Sequence, residues 1–457
     1  MNLPLEIAIA ASEATIYDGG AAPAALACST DTRTIAQGDT FIALRGERFD
    51  GHAFTEEAVR RGAAMLVVDR IDARVDGVAT LLVGDTKAAY MAFAGAARGL
   101  FRGRVVAITG SAGKTTTKSF LAQLLEPRYG NRILATPENE NNEIGVSKLL
   151  LAASNSDHDI LIVEMGARRY GDVAELVDIA RPQLGILTNV GEAHLEIMGS
   201  RERLEETKWA LFARGARAVL NAFDDVSRRR ARTLAQSPHW FASQPFALDD
   251  GMETLTALTG TGFLLHSSDG ITVQREVELR VPGDHNRANA AAAAAGALEI
   301  GIPLEELPAE LPRLRLPQGR YDRLAARNGL RLIYDAYNAN ASGMIAALDA
   351  FGSETASRRI AVLASMAELG EESEALHERV GAHAAALVDV LLVRGDYADE
   401  LARGASRAGL SQRQIVRIGS NAQAAQWLRE HASAGDVVLL KGSRKYKLEE
   451  IVEELRT

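Results

Sequence analysis

Short apolar runs bounded by turn residues recur along the chain, and their spacing predicts its elements. In residues 1–98 they fall at Thr40–Leu44 and Ala64–Val68, with a helical stretch at Thr55–Arg61 between them. Further on, Val105–Thr109, Ile160–Val163 and Leu184–Thr188 are strand-like and separated by helical patterns. Strands alternating with helices imply a parallel sheet with right-handed crossovers. The alternating stretch Leu255–Val281 carries Asp269-Gly270 and predicts a hairpin inserted in or packed on this region. Alanine-rich Asn286–Leu298 is a helix by propensity. Pro303, Pro308, Pro312 and Pro317 then mark a linker, because proline is excluded from helix interiors and central strands. Beyond it, runs at Leu332–Tyr334, Ile360–Leu363, Val390–Val393 and Val437–Leu440 predict a second doubly wound unit. The expected fold class is α/β in three domains, 1–98, 99–312 and 313–457, with a P-loop-like parallel sheet and small β addition in the middle and a Rossmann-like unit at the end.

Composition narrows the function without naming it. The 457 residues are 47% hydrophobic and 24% charged, which suits a globular protein and excludes disorder as the main state. No apolar run approaches the roughly 20 residues of a membrane span, and the first residues lack the basic and apolar regions of a secretory signal. A net charge of −9 argues against nucleic acid or an anionic membrane as the main partner. Cys28, the single cysteine, excludes an internal disulfide and a cysteine metal cluster. A cytoplasmic multidomain protein is expected.

The strongest chemical signal is Gly110-Ser111-Ala112-Gly113-Lys114-Thr115-Thr116-Thr117, placed between the strand Val105–Thr109 and the helical stretch Lys118–Leu125. A strand, glycine loop and helix in this order present backbone N–H groups and a helix N-terminus to phosphates. Lys114 is suited to neutralise the β- and γ-phosphates of ATP, and the Thr115 hydroxyl to hold Mg²⁺. Position 108 is isoleucine, so the loop is a shortened form of the usual pattern.

Ligands of open parallel sheets sit beyond the strands' carboxyl ends. Glu164 follows one such strand, and Asn189 and then His194 follow another. A carboxylate and an imidazole are therefore expected at the edge that carries Lys114, where both can ligate a divalent cation. Ser200 caps a helix expected to run through Gly215, and at about 100° per residue Leu204, Lys208, Leu211 and Phe212 share one face. A lysine in an apolar stripe must snorkel, pair, or lose its charge. A neutral amine there can react with CO₂ to give a carbamate.

These residues together resemble the ATP-dependent Mur ligases of peptidoglycan synthesis. The resemblance rests on Thr109–Thr115, Glu164, Asn189–His194 and Lys208, and spans nearly the whole chain. Within the family the chain is similar to the branch that adds D-alanyl-D-alanine to UDP-N-acetylmuramoyl-tripeptide. The matching segments are Ser29–Arg33, Gly46–His52, Thr136-Pro137 with Asn139, Asn141–Gly145, Asp335–Asn340, Met366–Gly370 and Lys441–Arg444. The Asp-Asn-Pro-Arg motif of the diaminopimelate-adding branch is absent.

The resemblance implies roles position by position. Gly110, Ser111, Gly113, Lys114, Thr115 and Thr116 cradle ATP, Asn286 contacts adenine, and Arg320 and Asp335 reach the nucleotide from the third domain. Thr115, Glu164, His194 and a carbamylated Lys208 would hold Mg²⁺, with two ions implied; Lys114, His194 and Lys208 are the catalytic set. Ser29, Thr30, Asp31, Arg33, Asp50, Gly51 and His52 would bind the UDP-sugar. Thr136, Asn141, Asn142, Tyr337, Asn338, Asn340 and Lys441 would meet the peptide, the incoming dipeptide or the phosphates. A monomer is implied. The chain departs from the branch at Ser147, at Ala364-Ser365-Met366 and at Lys445-Tyr446-Lys447, which leaves open a ligase that adds another amino acid or dipeptide. A motor-type P-loop ATPase and a catalytically dead scaffold are the readings from other classes; the first lacks a strand ending in adjacent acidic residues, and the second conflicts with the retained Lys114, Thr115, Glu164 and His194.

Overall fold

Valine-, isoleucine- and leucine-rich runs form the strands, and the glycine and proline positions separate them. A computed structural model describes residues 2–17, 20–46, 49–138, 140–191, 198–244, 252–268 and 270–456. Among these, strands assemble into three principal sheets and one two-stranded ladder, Leu3–Pro4 with Ala25–Leu26. The first sheet holds β1 (Thr15–Tyr17), β2 (Cys28–Ser29), β3 (Thr40–Ile42), β4 (Met65–Val68) and β5 (Ala79–Leu82) in the order β1-β5-β4-β3-β2. Only the β1–β5 pair is antiparallel.

The middle sheet positions the site. It holds β6 (Arg104–Thr109), β7 (Ile133–Ala135), β8 (Ile160–Glu164), β9 (Leu184–Leu187), β10 (Arg217–Asn221), β11 (His239–Ala242), β12 (Thr254–Leu258), β13 (Phe263–Ser268) and β14 (Ile271–Glu276). Their order is β14-β13-β12-β11-β10-β9-β6-β8-β7. Pairing is parallel from β7 to β12, and β13 and β14 extend the edge antiparallel. The expected hairpin is thus part of the sheet, although Asp269 of its turn lies outside the described residues. Both faces are covered. On one, Phe120, Leu121 and Leu124 of the helix Lys114–Tyr129 meet the alanines of the helix Asp284–Ile300. On the other, Val173, Leu176 and Val177 of the helix Asp172–Ala180 join Tyr90, Phe93 and Ala97 of the helix Thr86–Leu100, so the first unit shares this core.

The last sheet holds β15 (Asp322–Ala325), β16 (Arg331–Tyr334), β17 (Arg359–Ala364), β18 (Val390–Arg394), β19 (Ile415–Arg417) and β20 (Val437–Lys441), ordered β15-β16-β20-β17-β18-β19. Apart from β15 with β16, its pairs are parallel.

Two expectations change. The helix expected from Ser200 to Gly215 ends as Arg201–Trp209 followed by a 3₁₀ turn, Ala210–Phe212. The proline-punctuated stretch is no free linker: short helical turns span Leu304–Arg313, and Leu307 and Leu311 are fully buried against the middle unit. Pro308 and Pro312 sit at the first turns of their segments, where a missing N–H breaks no hydrogen bond. Gln123 then clasps the Arg315 backbone in both directions, at 2.8 and 2.9 Å.

Away from the ligand edge, buried Arg98 donates to the carbonyls of Ala180 (2.7 Å), Arg181 (3.0 Å) and Phe101 (3.3 Å), which closes the end of the helix Asp172–Ala180. Arg98→Met keeps the apolar stem and strands these acceptors. It is expected to cost about 1–3 kcal/mol in urea unfolding while leaving ADP affinity unchanged; an unchanged unfolding midpoint would contradict the role assigned to it.

Candidate active site

The glycine loop is shaped by close approach. Gly110 has φ of +150°, and a Cβ there would lie 1.9 Å from Thr188 Oγ1. Gly113 has φ of +83°, and its Cβ would lie 2.2 Å from Asn289 Oδ1. Both positions need glycine for conformation and for space. The end of β9 holds the loop in place. Thr188 Oγ1 donates to Ala112 O at 2.6 Å, Ala112 N donates to Asn189 Oδ1 at 3.1 Å, and Gly191 N donates to Ser111 Oγ at 2.8 Å. The helix that begins at Lys114 points its N-terminus into this loop, with Thr116 buried in its first turn.

Glu164, the last residue of β8, is paired in register with Ile108 of β6 and is buried beside the loop. Its Oε1 accepts from Thr115 Oγ1 (3.1 Å) and Asn141 Nδ2 (2.9 Å), and its Oε2 lies 2.9 Å from Lys118 Nζ. Burial alone would push this carboxyl up, but the ammonium charges of Lys118 and Lys114 and the Asn141 amide outweigh it and hold it below the ordinary glutamate value. Burial likewise pushes Lys114 down, with Glu164 opposing and Arg320 reinforcing the shift. Lys114 Nζ donates to Gly110 O at 2.7 Å, so the ammonium lies over its own loop.

A cavity of about 490 Å³ opens over this edge. Ser111 to Thr115, Asn141 and Glu164 line one side; Arg320, Tyr337, Asn338, Asn340 and Lys441 line the other. The Arg320 guanidinium stacks 4.5 Å from the Tyr337 ring centre and donates to Thr115 Oγ1 at 3.4 Å. Lys441 is spent within its own unit: it pairs with Asp335 at 3.1 Å and donates to the carbonyls of Asp335 (2.9 Å) and Asn338 (3.0 Å). Asn340 caps the helix Ala341–Gly352 through Gly343 N at 2.8 Å, and Asn338 Oδ1 accepts from Ala339 N. Asp335 is buried and does not line the cavity.

The other sequence-derived positions distribute as follows. Thr136 is buried under Glu164, where its hydroxyl accepts from Glu164 N at 2.9 Å, and Asn142 caps the helix Glu143–Ala152. Asn286 is buried, donates to Pro282 O at 2.8 Å, and lies 3.5 Å from Asn289, whose Oδ1 reaches Thr117. In the first unit Asp31 caps the Thr32–Thr34 turn and pairs with exposed Arg33; Ser29 Oγ donates to Asp31 O, with Thr30 between them. Asp50 accepts from both His52 N and Nδ1, and His52 Nε2 accepts from Asp69 N. A Cβ at Gly51 would meet Leu44 O at 2.7 Å. None of these first-unit residues lines the nucleotide-edge cavity. His194 lies outside the described residues, as do Glu47, Arg48 and Asn139. Sequence reasoning missed Lys118 and Asn289; the only signal for Lys118 is its spacing of one turn from Lys114, and Asn289 lies on another helix with no local signal of the loop.

Mg²⁺ fits this donor set. A hydroxyl and a carboxylate 3.1 Å apart are oxygen ligands of the right kind, and the carboxylate is buried in the wall of the cavity. Mg²⁺ takes one or two carboxylates together with phosphate oxygens and water, and Glu164 supplies one such carboxylate.

A glycine-loop edge faced by an arginine from a further α/β unit defines a nucleotide-dependent enzyme. Residues 27–90 match the catalytic domain of the Mur ligase family, 108–297 the Mur ligase middle domain and 319–444 the Mur ligase glutamate ligase domain. The chain belongs to the Mur ligase family. The UDP-N-acetylmuramoyl-tripeptide--D-alanyl-D-alanine ligase of Synechocystis sp. is 36% identical, over 93% of this chain and 91% of its own length. That of Escherichia coli is 34% identical, over 94% and 93%. MurF from Acinetobacter baumannii superposes with a TM-score of 0.86 at 26% identity, covering 100% of this chain and 99% of that one. MurF from Thermotoga maritima, solved with ADP, gives 0.80 at 28% identity over 94% and 97%. Among the described residues no helix is long and apolar enough to cross a membrane.

Lys208 is 1% exposed, and among the described residues no carboxylate pairs with it. Burial, and then the Lys114 charge, place its ammonium well below the ordinary lysine value of 10.5. Between its folded value and 10.5 the unfolded chain binds a proton that the folded one does not, so stability rises with pH across that window. In bicarbonate-free buffer Lys208→Met is expected to gain about 1–3 kcal/mol at pH 7 and to lose that slope. Chemical unfolding from pH 7 to 10 checks it, and an unchanged slope would overturn the assignment.

Proposed function

We propose that this chain adds D-alanyl-D-alanine to UDP-N-acetylmuramoyl-tripeptide with ATP, forming one amide bond and releasing ADP and phosphate in the cytoplasmic synthesis of peptidoglycan precursor. The observation that carries the reading is Lys114, Thr115 and Glu164 on adjacent strand ends, facing Arg320 across one cavity. Full-length curated relatives bearing that activity support it. The terminal carboxylate of the peptide takes the γ-phosphoryl group, giving an acyl phosphate; the dipeptide amine attacks its carbonyl, and the tetrahedral intermediate expels phosphate. Such a transfer needs positioning and charge neutralisation. Lys114 and Arg320 bring positive charge between two anions that otherwise repel, and the loop N–H groups orient the phosphates. Mg²⁺, held by Thr115 and Glu164, supplies further neutralisation. His194 or a carboxylate is the candidate base for the amine.

In this reading residues 1–98 bind the UDP-sugar through Ser29–Arg33 and Asp50–His52, residues 99–312 bind ATP, and residues 313–457 receive the dipeptide and close over the nucleotide. The protein acts as a monomer. Lys208 is carbamylated: its suppressed ammonium state favours the neutral amine that reacts with CO₂.

A second reading, a ligase of the same type with a different amine substrate, draws on one observation. The departures at Ser365 and at Lys445-Tyr446 meet in space: a Cβ on Gly395 would lie 2.7 Å from Ser365 Oγ and 2.4 Å from Tyr446 Oη, and Lys445 pairs with Asp396 at 2.6 Å. Asp396 and Lys445 line a second cavity, of about 1050 Å³, with Met366 to Ser373.

The test is release of ADP and phosphate in step with new amide, from ATP, Mg²⁺, UDP-muramoyl-tripeptide and a panel of amines. D-Ala-D-Ala is expected to give the highest kcat/KM. Preference for another amine would select the second reading, and turnover indifferent to every amine would sink both. For Lys208, bicarbonate depletion is expected to lower activity, and Lys208→Ala to regain part of it with added short carboxylic acids. Indifference to both treatments would remove the carbamate.

A further inference from the structure

Lys118 lies one turn beyond Lys114 on the loop helix and has no part in the reaction outlined above. It is buried, and its Nζ has three oxygen partners: Thr136 O at 2.7 Å, Glu138 O at 2.8 Å and Glu164 Oε2 at 2.9 Å. These come from two separate places, the turn after β7 and the end of β8. The turn is an unusual one, since Glu138 has φ of +36°. It leads to Asn141, whose amide donates to Glu164 Oε1, while the Thr136 hydroxyl accepts from Glu164 N. Lys118 therefore grips Glu164 directly and also grips the turn that holds Glu164 from both ends.

We propose that Lys118 is a positioning residue for the divalent-cation site, fixing Glu164 and the backbone at Thr136 and Glu138 in the arrangement that receives the nucleotide-bound ion. The inference rests on the nucleotide-site reading above. A second ammonium beside a cation site also repels the ion, so two effects compete. The geometry favours positioning: two carbonyls and a carboxylate already engage this ammonium, and removing it would leave two buried acceptors and the partly buried Glu138 carbonyl to rearrange around the ligand. Partners that orient a metal ligand are worth about 10–100-fold in metal affinity.

The experiment is Mn²⁺ titration in the presence of ADP, followed by the electron paramagnetic resonance of free Mn²⁺. It needs no acceptor and no turnover, and compares wild type with Lys118→Met, Lys118→Gln and Lys118→Arg. The Met and Gln variants are expected to bind Mn²⁺ about 10–100-fold more weakly, with the Arg variant between them and wild type. In turnover, the Mg²⁺ concentration for half-maximal rate is expected to rise by a similar factor, with a smaller fall in kcat at saturating Mg²⁺. Circular dichroism checks folding; should the Met variant not fold, the Gln variant keeps N–H donors for the two carbonyls and carries the same expectation. Equal or tighter Mn²⁺ binding in the folded Met or Gln variant would overturn the proposal and show the ammonium acting as a competitor. Failure of wild type to bind Mn²⁺ with ADP would instead sink the nucleotide-site reading itself.

Discussion

Around the single carboxylate of Glu164 the structure gathers two ammonium groups, and the Thr115 hydroxyl that it bonds also accepts from the Arg320 guanidinium. A buried carboxylate costs several kcal/mol if it is left uncompensated. Equally, Lys114, Lys118 and Arg320 crowded at one edge would repel one another without an anion. Each side makes the other tolerable. The arrangement needs β8 to lie beside β6, because only then do the loop after β6 and the last residue of β8 share an edge. The order β9-β6-β8-β7 provides this, and puts β9 on the other flank to brace the loop through Thr188 and Asn189. A net charge of −9 is therefore compatible with a locally cationic site: what matters is where the charges lie.

Part of this was legible in the chain. The strand, glycine loop and helix are consecutive, so local spacing reveals them, and Glu164 is readable as the residue that ends a buried strand. Lys118 is not. Its role depends on which strands flank β6, and one lysine on an amphipathic helix carries no sign of that. Asn289 is hidden for the same reason: it lies 172 residues from Thr117, and only the contact of two helices brings its amide against Gly113. The proline stretch misleads in the opposite direction. Proline forbids helix interiors but suits first turns, and Leu307 and Leu311 supply the apolar face that makes those turns pack. Several family-like positions, Asn142, Asn340 and Asp31 among them, carry visible local duties as caps. Residue type and spacing alone do not distinguish a cap from a ligand contact.

Lys208 shows how stability and chemistry pull apart in this fold. Its helix buries Leu204 and the 3₁₀ turn that follows buries Leu211, and a methionine would satisfy such apolar surroundings at lower cost. The Lys114 charge that helps suppress the ammonium state is itself part of the phosphate loop, so the two lysines are electrostatically linked. Any added negative charge on Lys208 would relieve that repulsion and place an anion near Lys114. A carbamate has this sign; a protonated amine has the opposite one.

The two walls of the nucleotide-edge cavity differ in how firmly they are bound into the fold. On the middle unit, loop and carboxylate are cross-braced by strand ends on both sides. On the last unit, Lys441 and Asp335 lock the Asp335–Asn338 turn, and Asn340 anchors the following helix. Arg320 is different. It follows the segment where the chain leaves the middle unit and leans on Tyr337; among the described residues it touches the opposite wall only through a long bond to Thr115, and its Nε has no partner. A guanidinium held on an aromatic face, with a buried donor unspent, is a group whose remaining hydrogen bonds are available to an anion between the walls. The rigid parts thus set where a triphosphate would lie, and the arginine couples that position to the unit on the far side.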